Sequence, residues 1–326
     1  MTPSFTFRRA LCSVVFAATL STTAYAQEGT APANQDGDPA TAVTTTPTPD
    51  EDAPATGVVF GADLYYGTSN LSNAHRYRDG FWLGYGPAYP SNLYATYNDK
   101  SGVTGKVALS VGKLYNGSIS GFDQPIEAYV AKPFGKTTLT AGKFYVPFEL
   151  AEWEYETELG LQAERAFGKQ GALTTAVTYN RIRETPNFYA RYARTVGPAT
   201  VGFSLGGGQG FILDTDHDRG AALDLTVEHG RFRLEGAALL AQKSAASSRF
   251  GFTFARLNYQ LDPKAKIYVS RHSWHDRLDQ EGNGHFSTLG AVYQVSKHLS
   301  VEGATSRSGE LNRTINWVEL HYTIER

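Results

Sequence analysis

Between residues 126 and 306 the chain repeats one pattern six times: two stretches of alternating polar and apolar residues, joined by a turn of a few residues. Short turns are predicted at 133–136, 168–171, 196–198, 229–230, 261–264 and 296–297. The returns between pairs are longer and more polar, at 146–157, 182–186, 207–219, 241–248 and 274–284. In 221–228, Leu223, Leu225 and Val227 alternate with Asp224, Thr226 and Glu228. Beyond His229-Gly230, Phe232, Leu234 and Ala238 alternate with Arg233 and Glu235. A period of two belongs to a strand whose successive side chains point to opposite faces. Helical spacing does not sort these residues into an apolar and a polar side.

Short turns at one end and long connections at the other predict an all-β fold, a transmembrane antiparallel up-and-down β-barrel. A closed barrel is one of two structures that satisfy their backbone hydrogen bonds inside a bilayer. The predicted strands are 57–67, 92–98, 103–112, 126–132, 137–145, 158–167, 172–181, 187–195, 199–206, 220–228, 231–240, 249–260, 265–273, 285–295, 298–306 and 315–324. These sixteen strands return both termini to the periplasmic side. Twelve or fourteen strands are the alternatives, since 92–98 and 187–195 alternate least clearly. On this reading Leu223, Leu225, Val227, Phe232 and Leu234 face lipid, and Asp224, Thr226, Glu228, Arg233 and Glu235 face the lumen. A water-soluble β-sandwich also alternates, but it has no need for aromatics near so many strand ends. The 19 Tyr and 18 Phe of the 326 residues suit aromatic girdles at two membrane interfaces.

No stretch beyond the first 26 residues approaches the roughly 18 consecutive apolar residues of a helical span. The one long apolar run, Leu11 to Leu20, follows Arg8-Arg9 and precedes Ala24-Tyr25-Ala26. That order predicts a secretory signal peptide over 1–26, cleaved after Ala26. Arg8-Arg9 can be read as a twin-arginine signal, but a barrel must cross the inner membrane unfolded, which favours the ordinary secretory route. Cys12 lies at the start of the apolar run and not at its end, so it does not form a lipoprotein cleavage box. Residues 27–56 are built from Ala, Thr, Pro, Asp and Gly and carry six acids, Glu28, Asp36, Asp38, Asp50, Glu51 and Asp52, with no Lys or Arg. So little apolar surface cannot offset the entropy of ordering, and a disordered acidic periplasmic extension is predicted. The barrel is expected over 57–326.

Beyond residue 26 there is no cysteine and no methionine, which excludes a disulfide framework and a thiolate metal site. Of the 32 acids and 30 bases, 26 and 28 fall in 57–326, a formal net charge of +2. A nearly balanced barrel favours neither nucleic acid nor one sign of ion. No basic helix or aromatic platform for nucleic acid is present.

The most specific local string is Leu139-Thr-Ala-Gly-Lys143-Phe144-Tyr-Val-Pro147-Phe148-Glu149. It resembles the Gly-Lys-Phe-x-x-Pro-Phe segment of the β-barrel porins of Gram-negative outer membranes, where a strand ends at an extracellular loop. Glu149 stands where that family often carries Gly. The resemblance implies passive diffusion of small hydrophilic solutes or ions, no enzymatic activity and no cofactor. The expected surroundings are outer-membrane lipid and, during biogenesis, the outer-membrane insertion machinery; a monomer and a trimer are both open. The last strand, with Val318, Leu320, Tyr322 and Ile324 on one face, resembles the signal that machinery reads, although the chain ends Glu325-Arg326 where an aromatic is common.

The connection after this string holds Glu149, Glu152, Glu154, Glu156 and Glu158, with Trp153 and Tyr155 between. Five like charges repel one another unless solvated or faced by cations. Arg165, Arg181, Arg183, Arg191 and Arg194 follow in the chain. A loop folded inward opposite these arginines would set a transverse field across a pore constriction, selecting by charge and size. A solvated extracellular loop is the competing reading.

Other motifs carry less. Asp214-Thr-Asp216-His-Asp218 has the alternating carboxylates of a calcium loop, but Leu225 occupies the position where a bidentate Glu is needed. Gly206-Gly-Gly-Gln-Gly210 follows a strand with no helix after it, so no phosphate-binding helix N-terminus results. Asn312-Arg313-Thr314 matches a glycosylation pattern without force in a bacterial barrel. An outer-membrane hydrolase would draw on His272, Ser273, His275, Asp276 and His285, yet neighbours on a strand point to opposite faces, so His272 cannot easily serve Ser273. A plugged barrel with an adhesive or structural role is the stronger alternative. It would hold inward charges such as Asp224, Arg233 and Glu235 in pairs, where an open pore would solvate them.

Overall fold

A computed structural model describes residues 56–70, 91–110, 125–148, 157–168, 170–180, 184–209, 218–242, 249–276, 283–309 and 312–325. The expected leader, most of the extension, and the acidic stretch 149–156 lie outside these residues. Sixteen strands form: β1 Gly57–Ser69, β2 Asn92–Asn98, β3 Thr104–Ser110, β4 Pro125–Phe134, β5 Thr137–Tyr145, β6 Thr157–Phe167, β7 Gly171–Asn180, β8 Thr185–Val196, β9 Ala199–Gly207, β10 Arg219–His229, β11 Phe232–Gln242, β12 Arg249–Asp262, β13 Ala265–Asp276, β14 Asn283–Ser296, β15 Leu299–Ser308 and β16 Arg313–Glu325. Each pairs antiparallel with its sequence neighbours, and β1 pairs with β16 from Gly61↔Glu325 to Ser69↔Trp317. The sheet therefore closes on itself with no free edge, which removes the unpaired amides and carbonyls an open sheet would expose. Every predicted strand is present, β2 and β8 included, so the smaller strand counts are excluded.

The short turns gather at one rim. Gly135, Gly168, Gly197 and Gly230 in four of these turns adopt φ between 59° and 66°, a left-handed conformation that a Cβ disfavours. Between β2 and β3, Asp99 Oδ1 accepts hydrogen bonds from the Ser101 hydroxyl (2.7 Å), the Ser101 amide (2.8 Å) and the Val103 amide (2.9 Å). The Ser101 hydroxyl, with the two amides, holds the Asp99 carboxyl below its ordinary pKa. Asp262 closes the β12–β13 turn in the same manner, accepting from the amides of Lys264 and Ala265.

Burial alternates along the strands and assigns the faces. On β10, Ala222, Asp224 and Thr226 are buried and inward, while Leu223, Leu225 and Val227 point outward. The register carries the assignment around the barrel: Leu225 stands opposite Val201 and Gly236, and Asp224 opposite Gly202 and Ala237. Large apolar residues such as Phe60, Leu161, Val177, Val201 and Leu289 stay exposed on the outward set. In water such a surface would drive aggregation; against lipid tails it carries no penalty.

The inward set departs from a uniformly polar lining. On β11, Ala237, Leu239 and Ala241 are inward and buried, and Leu239 is only 1% exposed. They cluster with Phe252 and Phe254 of β12, with Trp274 of β13 packed against them. Trp274 in turn contacts Phe286 of β14 in a cluster with Ile315 and Trp317 of β16. Alternation is lost along Gly236–Ala241 because both faces are apolar there, and the sequence shows this as an unbroken run. The inner wall toward the long-connection rim is thus partly hydrophobic.

Candidate pore lining

Inward charges lie along the wall and pair with neighbours on the same strand or one or two strands away. Arg191 of β8 forms a two-pronged ion pair with Asp224 of β10; its Nη2 donates to Oδ1 at 2.9 Å and its Nη1 to Oδ2. Nη1 also reaches the Ser204 hydroxyl on the intervening β9, at 3.1 Å. Asp224 is 2% exposed. The pair crosses β9 at Gly202, where an added Cβ would fall 2.3 Å from Asp224 Oδ2 and 2.5 Å from Arg191 Nη2. Glycine is therefore required there by the close approach of two charged groups.

The same construction recurs. Tyr268 of β13 lies over Gly290 of β14 and donates its hydroxyl to Glu302 of β15, while the Arg256 guanidinium stacks on its ring at 3.9 Å from the centroid. Arg233 bonds Glu235 at 2.8 Å and stands 3.6 Å from Glu228, and Asn258 adds a donor to Glu235 at 3.2 Å. Lys106 meets Glu127 on the adjacent strand at 2.5 Å. Asp63 pairs with His321, which stacks on Tyr65 at 4.1 Å. Hydrogen bonds and stacking lay these long side chains flat.

The predicted lumen-facing residues Asp224, Thr226, Glu228, Arg233 and Glu235 occupy the inward set. The predicted constriction residues divide. Glu149, Glu152, Glu154, Glu156, Arg181 and Arg183 lie outside the described residues. Arg165 and Arg194 sit on the outward set near the short-turn rim, with Arg165 5.8 Å from the centroid of the Phe167 ring. They are not lumenal, because they share parity with Leu161 and Tyr192. That parity was readable in Leu159-x-Leu161-x-Ala163-x-Arg165-x-Phe167, against Glu158, Gln162 and Glu164 on the other face. Arg191 is inward, with Asn187, Tyr189 and Ala193.

Glu158 is buried at the start of β6. Its carboxylate accepts hydrogen bonds from the Thr178 hydroxyl, from Asn187 Nδ2 (2.9 Å), from the Tyr189 hydroxyl (3.3 Å) and from Asn180 Nδ2 (3.5 Å). On the other side of the acidic stretch, Val146 and Phe148 are buried, and Phe148 (5% exposed) meets the Tyr189 ring edge-on at 6.3 Å. Tyr189 therefore touches both flanks of residues 149–157, one with its ring and one with its hydroxyl. Sequence reading missed Tyr189; its inward parity beside Asn187 and Arg191 was the available signal.

The described side chains among the hydrolase candidates do not assemble, that of Asp276 lying outside them. His272 is inward and buried between Phe252 and Phe254, at 6.3 and 4.9 Å between ring centroids. Ser273, His275 and His285 lie on the outward set. Among the described residues no group of three His, Cys, Asp or Glu side chains is placed to hold a metal ion. Of the calcium-like string, Asp214 and Asp216 lie outside the described residues.

No protein-family model and no curated protein matches the chain. Solved structures do. An anion-selective porin from Comamonas acidovorans aligns with a TM-score of 0.61 at 12% identity, over 83% of this chain and 99% of that one. OmpF of Salmonella typhi, solved with daunomycin, aligns with a TM-score of 0.60 at 10% identity, over 82% and 97%. The outer-membrane channel DcaP of Acinetobacter baumannii aligns with a TM-score of 0.54 at 12% identity, over 83% and 96%. The chain thus has the sixteen-stranded closed-barrel fold of Gram-negative outer-membrane porins.

Proposed function

We propose that this chain is a non-enzymatic channel of the Gram-negative outer membrane for passive diffusion of small hydrophilic solutes or ions. The short-turn rim faces the periplasm, as does the acidic segment 27–56 that follows cleavage after Ala26. In this reading the acidic stretch after β5, which lies outside the described residues, supplies Glu149, Glu152, Glu154 and Glu156 to a constriction, and Arg191 contributes positive charge on the wall. The observation that carries this reading is Phe148. A loop bound for open solvent has no reason to bury an aromatic ring on the inner wall three strands away, against Tyr189.

Asp224, Arg233 and Glu235 are all paired, the state expected of a plugged adhesive or structural barrel and not of an open pore, and this favours the second reading. The pairs here run along the same wall, between strands one or two apart, as Lys106–Glu127 and Arg191–Asp224 do. Pairing of this direction fixes the lining without bridging the lumen, so it is compatible with a water-filled path. Purified full-length protein in a planar bilayer should give discrete ohmic conductance steps. Folded, inserted protein that stays electrically silent would favour the plugged barrel.

A further inference from the structure

The outward faces of the described strands carry charges of one sign. Lys132, Lys143, Arg165, Arg194, Arg219, Arg249, Arg271 and Arg307 are outward, and apart from the turn residue Asp262 no outward carboxylate stands in any described strand. Two of the arginines form a compact group. Arg271 of β13, Ser287 of β14 and Arg307 of β15 are mutual register partners in one row. Arg271 Nη1 donates to the Ser287 hydroxyl at 3.1 Å, and Arg307 Nη2 to Asn312 Oδ1 at 2.6 Å. With strands about 4.8 Å apart, the two arginine backbones stand roughly 10 Å from one another, with Ser287 between them. Both are exposed. Directly toward the short-turn rim the next outward row holds Val269, Leu289 and Thr305, and the one after it Ile267, Ala291 and Gly303.

We propose that Arg271, Ser287 and Arg307 form a binding site for the phosphate of a membrane lipid. The proposal rests on the barrel spanning a bilayer. A phosphate between two guanidiniums takes charge-assisted hydrogen bonds from both sides and one from Ser287. The acyl chains then run down Val269, Leu289, Ile267 and Ala291. Charge decides the occupant. A second copy of this chain, approaching strand face to strand face, offers from its described strands cations and, at the far rim, Asp262, whereas lipid headgroups supply the missing anions. Arginine on a lipid face is costly at mid-bilayer and nearly free of cost at the interface, so a paired row of it marks headgroup depth.

The test is native mass spectrometry of the full-length barrel from detergent micelles doped with dioleoyl phosphatidic acid, with dioleoylglycerol as the phosphate-free probe. The wild type should retain phosphatidic acid and no dioleoylglycerol. Losing two charge-assisted contacts should make Arg271→Gln/Arg307→Gln retain it at least about tenfold less. The doubly substituted Arg165→Gln/Arg194→Gln loses the same charge at the other rim and should match the wild type for this site. Heat-modifiable migration on gels, scored in parallel, admits only folded variants to the comparison. Equal retention in wild type and Arg271→Gln/Arg307→Gln overturns the proposal, as does equal loss in both double variants, which would mean diffuse charge. Inorganic phosphate that displaces the lipid at equal concentration assigns the site to a free anion and overturns the lipid. A wild type that binds no lipid but dissociates from oligomer to monomer on substitution assigns the row to contact between copies. A wild type that conducts yet retains no phosphatidic acid ends this proposal and leaves the channel standing.

Discussion

Arg191 and Asp224 meet over Gly202, two strands apart, with both carboxylate oxygens taken by one guanidinium. Asp224 has no solvent to fall back on, and its side chain is 0% exposed. Removing one partner of such a pair leaves an uncompensated buried charge, at a cost of about 3–5 kcal/mol. Arg191→Met should therefore lower the urea midpoint of barrel unfolding markedly, whereas Arg191→Met/Asp224→Leu should recover much of it. Gly202→Ala should act like the single variant, because its Cβ occupies the space of the pair. A double variant as unstable as the single one would show that the charges do more than satisfy each other.

Leu225 and Thr226 are adjacent in β10 and face opposite sides. Leu225→Arg places a guanidinium against lipid and should impair assembly by about 2–4 kcal/mol if it lies near mid-bilayer. Thr226→Arg places it inward, opposite the Glu235 carboxylate of β11 in register, and should be tolerated. Folding yield into vesicles, read by heat-modifiable migration, separates the two. The reverse order would invert the face assignment.

Replacing Glu152, Glu154 and Glu156 together by Gln removes three negative charges with little change in volume. If the stretch lies in the lumen, charges about 8–10 Å apart are only partly screened at physiological salt. The reversal potential under a salt gradient should then move toward anions, and the shift should shrink as salt is raised. A solvated exterior loop lies far from the narrowest point and leaves the reversal potential where it was.

Residues 27–56 carry too little apolar surface to pack. Their deletion from the mature chain should leave the heat-modifiable folded band and single-channel conductance unchanged. Loss of that band would give the segment a place in the barrel or its lumen.

Alternation along single strands was enough to place all sixteen strands, to sort Leu223, Leu225 and Val227 from Asp224 and Thr226, and to mark the glycine turns. Those properties are local: a strand's side-chain period and a turn's φ are decided within a few residues. Parity also held the answer for Arg165 and Arg194, which nearness in the chain had wrongly grouped with Arg191. The partnerships were another matter. Arg191 finds Asp224, 33 residues away, only because strand register brings β8 and β10 to the same level around Gly202. Phe148 and Glu158 meet on Tyr189 because the chain leaves β5 inward and β6 to β8 stand in line. Register and closure sum the turns and pairings of the whole sheet, so a pattern read one strand at a time fixes which way a side chain points, and only the closed barrel decides what it meets.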